Sequence, residues 1–215
     1  GLTVAVLSGL AGGLFARVLL LSLKGESADR FSRWRKRRPV AFAAACGLAV
    51  AVIGLVSHGS TFGTGYAHSR AMLDGDHESQ PLYVLLKFMA TWITAWSGVP
   101  GGIFAPALSI GGALGNDIAM LLNYPNAPTL IALGMAGFLA AVTQAPLTAF
   151  IIVMEMVDGR ALVLSLMATA MVASGVSRLL CVPLYSALAQ LQLQRLPEKK
   201  PDHAPTSTPD KAPLS

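Results

Sequence analysis

Apolar residues in this chain fall in long blocks, not in the alternations or helical stripes of a water-soluble fold. Residues 2–23 form the first block, roughly 33 Å long as a helix, which covers a hydrocarbon core of about 30 Å. A second block runs from Val40 to Ser57 and ends in the turn-rich stretch 58–66. A short helix through Met72 and a polar linker from Asp74 to Gln80 follow, and then an apolar helix from Pro81 to Trp96. Trp92 and Trp96 in that helix suit either a membrane interface or the interior of a bundle.

Two later blocks are interrupted. Ser97 to Gly102 places serine, proline and three glycines inside an apolar run, and helix is expected to resume at Ile103 and continue toward Leu122. Tyr124 to Pro128 should end that helix. Residues 129–157 would reach roughly 44 Å as one straight helix, too long for one span, and Gln144-Ala145-Pro146 divides them into two pieces. Asp158 to Arg160 reads as a polar turn, Ala161 to Leu180 as the next span, and Leu184 to Arg195 as a last short helix after Pro183. From Pro197 a proline recurs every four residues, so 197–215 is expected to be a disordered tail behind a membrane domain at 1–196. The expected fold is all-α: a polytopic membrane protein with tilted, broken and re-entrant helices.

Composition agrees: 53% of residues are hydrophobic and 13% charged, where a soluble domain carries about 25% charged. Most of the surplus positive charge is gathered between Lys24 and Arg38, flanked by two apolar blocks. That placement reads as a cytoplasmic loop under the positive-inside rule and argues against nucleic acid as a partner. Arg17, near the end of the first block, is expected to snorkel toward that loop. Cys46 and Cys181 lie in apolar blocks and read as small buried hydrophobes, and the four histidines show no metal-ligand spacing. No cofactor and no metal site is expected. The chain starts at Gly1, and residues 2–23 lack the charged front and cleavage site of a signal peptide, so the start reads as a cut within a longer protein.

Gly98 to Pro106 carries the most chemistry. A helix that starts inside an apolar bundle leaves its first N–H groups unpaired and places roughly half a positive charge at that end, which suits an anion. Gly101 and Gly102 remove side chains that would block close approach. Pro106 has no N–H, which leaves Ile103, Phe104 and Ala105 as donors. A neutral donor set suits an ion that must leave as readily as it enters. The spacing by itself fits a mere kink in a transmembrane helix equally well.

The stretch GVPGGIFAPALSIGGALG at 98–115 resembles the GxFxP signature of the CLC family of chloride channels and chloride/proton antiporters. TFGTGY at 61–66, GMAGFLAAVTQAPLTAFIIVMEM at 134–156 and SRLLCVPLY at 177–185 resemble the family in the expected order. The resemblance implies two inverted repeats per subunit, a homodimer and a separate anion pathway in each subunit, with this chain as the second repeat and final helix. It implies chloride held by the backbone N–H groups of Ile103 and Phe104 and by the hydroxyl of Tyr185, with Gly101, Gly102, Ala105 and Pro106 as backbone support. It also implies location in a bacterial inner (plasma) membrane with a cytoplasmic C-terminus. The family's gating glutamate lies in a GxEGP motif of the first repeat, which does not occur here, so channel and proton-coupled antiporter stay unseparated. Glu155 is not that glutamate and reads as a helix-end contact near Asp158 and Arg160, close to the family's dimer interface.

A transporter of another small anion would use the same broken-helix logic. An intramembrane hydrolase would need Ser60 or Ser97 joined to a base such as His58, and no nucleophile motif surrounds them. The chain is therefore not expected to be an enzyme.

Overall fold

The structure is a computed structural model that describes residues 1–24, 33–34, 37–74, 82–99, 101–157 and 160–193; at 23, 24, 67, 160, 185, 188 and 190–192 it describes the backbone. The elements are α1 (Leu2–Lys24), α2 (Pro39–Val56), α3 (Tyr66–Leu73), α4 (Tyr83–Trp96), α5 (Phe104–Leu121), α6 (Ala127–Thr143), α7 (Pro146–Val157), a 3₁₀ turn at Arg160–Leu162, α8 (Val163–Leu180) and α9 (Leu184–Leu193). No strand occurs among the described residues. Among these helices, four are long and apolar enough to cross a membrane: Leu2–Ser22, Pro39–Val56, Phe104–Leu121 and Val163–Leu180.

The expected breaks are present. The long apolar run divides at Gln144, whose φ of 55° ends α6 in the left-handed region, and Pro146 begins α7. Gln144 stabilises its own break: its Nε2 donates to the Cys181 carbonyl at 2.8 Å, tying the α6–α7 corner to the end of α8. Ser177 Oγ adds a second tie, donating to the Ala141 carbonyl at 2.6 Å. α5 ends at Leu121, just ahead of the 124–128 stretch expected to end it, although Pro128 itself is already helical. Pro128 sits in the first turn of α6, where the missing N–H costs nothing because that N–H would have no intrahelical partner.

α6 is the centre of the bundle, buried from Leu130 to Val142 and packed against α1, α5, α7 and α8. A helix hydrophobic all round needs either lipid or other helices around it, and α6 has helices. Its contact with α5 is backbone on backbone: a Cβ added at Gly134 would collide with the Gly111 carbonyl oxygen and lie 3.0 Å from the Gly115 Cα. Small residues at such a crossing let main chains approach and gain dispersion contacts that lipid would otherwise supply. Gly111 and Gly115 of α5 thus have their partner in Gly134 of α6.

Trp92 and Trp96 turn out to be bundle residues. Their rings stack at 5.6 Å, Trp96 meets Phe42 of α2 edge-on at 5.2 Å, and Trp92 Nε1 donates to Ser22 Oγ of α1 at 2.8 Å. Arg17 is exposed, as a snorkelling side chain should be. Cys46 is buried, whereas Cys181 is only half-buried because it follows α8 in extended backbone, not within a packed helix. Glu155 is exposed on α7; the contact expected for it with Asp158 and the Arg160 side chain lies outside the described residues, as do most of the basic loop and the tail at 197–215.

Candidate anion site at the start of a broken helix

α4 ends at Trp96, and Ser97 closes it by donating its hydroxyl to the Thr94 carbonyl at 2.6 Å. Gly98 then turns the chain with φ 81°, a left-handed conformation that a side chain would strain. α5 begins at Phe104 with Ile103 as its N-cap, and no side chain caps it. The N–H of Ala107 makes a bond back to the Ile103 carbonyl at 3.0 Å. The N–H groups of Ile103, Phe104 and Ala105 precede that bond and meet no acceptor among the described residues. Three adjacent, uncapped donors at the positive end of an 18-residue helix are what an anion requires.

Ile103 and Ala105 line a cavity of about 330 Å³. Gly101, Gly102, Ile103, Ala105 and Pro106 form one wall, the turn at Thr61–Thr64 another, and Lys87, Thr91 and Thr94 of α4 a third. The structure therefore brings five of the expected site residues together. Phe104 is not part of the cavity wall; its side chain packs against the hydrophobic core. Tyr185 lies in the first turn of α9 after Pro183, where it was expected, and its side chain lies outside the described residues.

The TFGTGY segment is held in place by buried polar contacts. Lys87 Nζ donates to the carbonyls of Thr61 and Gly63, each at 2.8 Å. Gly65, with φ 82°, lies so close to Ser109 of α5 that an added Cβ would overlap the serine side chain. The Tyr83 hydroxyl bonds Ser109 Oγ at 2.6 Å, and the ring of His68 faces that of Tyr83 at 4.1 Å. The motif thus packs directly on the helix that begins at the candidate site.

Lys87 is the residue that sequence reasoning passed over. It is 2% exposed, a cation buried in an otherwise apolar helix, and a lone charge in such a block is itself a signal of function. Ser60 and Ser97 donate to nearby backbone carbonyls, at 2.8 and 2.6 Å, so both act as local turn and helix-end caps. His58 is exposed in a turn at φ 50°. No cluster of metal-ligating side chains occurs among the described residues.

A family model described as voltage gated chloride channel matches residues 2–178. The H(+)/Cl(-) exchange transporter ClcA of Klebsiella pneumoniae is 36% identical over 118 residues, which is 52% of this chain and 25% of that protein. The protein of the same name in Yersinia pestis is 29% identical over 203 residues, covering 87% of this chain and 40% of its own length. The chain thus spans less than half the length of these relatives. With the match running from α1 to near the end of α8 and across the broken helix, the chain belongs to the voltage gated chloride channel family.

Proposed function

We propose that this chain forms the second half of the membrane domain of a chloride transporter and supplies part of its anion site from the start of α5. The observation that carries the reading is the set of three uncapped N–H groups at Ile103, Phe104 and Ala105, beside a cavity whose glycine wall admits an ion to the main chain. Neutral backbone donors bind an anion firmly enough to strip part of its water and weakly enough to release it. Chloride is the preferred ion because the family description and both relatives' names contain it. Tyr185 is the proposed hydroxyl ligand, contributed when α9 and the first repeat close the site. The working unit is proposed to be a homodimer, with residues 1–196 in the membrane of a bacterial cell and 197–215 as its tail.

Flux measurements test this reading. Reconstituted into liposomes, the intact protein that contains this chain should move chloride, whereas residues 1–215 alone should not, because the other repeat would supply the remaining ligands. Chloride-selective flux from residues 1–215 alone would sink the half-transporter reading. A proton movement that follows the chloride gradient in the same liposomes would identify exchange, and its absence conduction.

Orientation is a separate expectation. The basic segment between Lys24 and Arg38 and the segment after Leu196 should both lie on the cytoplasmic face, following the positive-inside rule. Single cysteines at 30 and 200 should therefore react with an impermeant maleimide only after the membrane is opened from the cytoplasmic side. Labelling from opposite faces would contradict the topology.

A further inference from the structure

Lys87 carries more than the fold requires of it. Its stem could be replaced by methionine or leucine for packing, yet this position buries an ammonium, and burying a charge is costly unless something is gained by it. The ammonium is satisfied by two carbonyls, those of Thr61 and Gly63, and by no carboxylate among the described residues. Carbonyl dipoles compensate part of the charge and leave its sign intact. The ion pair seen among the described residues, Arg70 with Asp74, is an exposed contact on α3 and is not in the cavity wall.

The same side chain lines the cavity faced by Ile103, Ala105 and Pro106. Two sources of positive potential therefore address one space: the unpaired amides of a helix start, and the Lys87 ammonium that lines the same cavity. Where protein screens it less than bulk water would, such a charge acts over several ångströms. Main-chain donors alone leave the neighbouring carbonyls of the 61–63 turn free to attract a cation. Lys87 engages those carbonyls itself.

We propose that Lys87 sets the charge preference and affinity of the anion site, its ammonium occupying the Thr61 and Gly63 carbonyls while its net charge acts on the ion held by the α5 amides. This inference rests on the chloride-site reading above. Lys87 is a positioning residue for the turn and an electrostatic determinant for the ion, not a direct ligand.

Calorimetric titration of the intact protein with sodium chloride, beside the variants Lys87→Gln and Lys87→Arg, tests it. The glutamine keeps a donor and loses the charge; chloride affinity should fall about fivefold or more. The arginine keeps the charge and should bind within about twofold of the parent, a rescue that a purely structural role would not give. Folded Lys87→Gln that binds as tightly as the parent overturns the inference, and so does loss of affinity in folded Lys87→Arg. If the glutamine variant does not fold, the arginine variant decides alone, with retained binding in support and lost binding against. A series in which lysine alone folds assigns the residue to folding and also overturns it. The two readings separate cleanly: a parent that binds no chloride removes the proposed function, whereas the ratio of variant to parent reads Lys87.

Discussion

Gly134→Leu should prevent the intact protein from accumulating as a monodisperse species in detergent. The cause is geometric: α5 and α6 touch through their main chains, and a Cβ at 134 would occupy the space of the Gly111 carbonyl oxygen and approach the Gly115 Cα and N at 3.0 Å. Backbone cannot swing aside as a flexible side chain does, so the helices must separate. Separation would open the most buried interface of the bundle, where α6 is enclosed from Leu130 to Val142. Overpacking of this kind costs about 1–3 kcal/mol where neighbours adjust and more where they cannot. The start of α5 would move with the crossing, so any folded remainder should also bind anion poorly. Gly47→Ala in α2 is the matched control, since nothing lies within 4 Å of its added Cβ and a helix-interior glycine gains propensity on the change. Size-exclusion profiles and thermal unfolding in detergent compare the two. A Gly134→Leu protein as well folded as Gly47→Ala would mean that α5 and α6 do not meet as described.

The pattern of apolar blocks was enough to place nearly every helix, because the punctuation is strong. Proline and glycine at 98–102, and Gln144 with Pro146, interrupt runs that are otherwise uniformly apolar, and α5, α6 and α7 begin or end at those points. The 124–128 stretch both follows the end of α5 and opens α6, because proline stops one helix and suits the first turn of the next. The site was legible as a motif and not as a place. Nothing local to residue 87 shows that its ammonium reaches carbonyls 24 and 26 positions earlier. Trp92 and Trp96 were ambiguous for the same reason: an indole suits an interface or an interior equally, and only the stacked pair against Phe42 and Ser22 decides. Residues whose role is a contact across the bundle need the fold before they can be read. Cys181 lost its expected burial through a single feature of backbone, the extended residue that follows α8.

Main-chain N–H groups at the start of α5, not side chains there, are proposed to hold the anion. Phe104 makes the distinction measurable because its ring belongs to the core while its N–H is unpaired at the helix start. Replacing the Phe104 amide by an ester in the intact protein removes the donor and keeps the ring. A hydrogen bond to a charged group contributes about 1.5–3 kcal/mol, so chloride affinity should weaken by roughly tenfold to a hundredfold. The same replacement at Ile103, which lines the cavity, should have a comparable effect. Phe104→Leu keeps the N–H and should bind chloride within a few-fold of the parent. Calorimetric chloride titration of the Phe104 ester beside Phe104→Leu is the decisive comparison: the account predicts a large loss in the ester and a small one in the leucine variant, and an ester that binds like the parent while Phe104→Leu fails would contradict it.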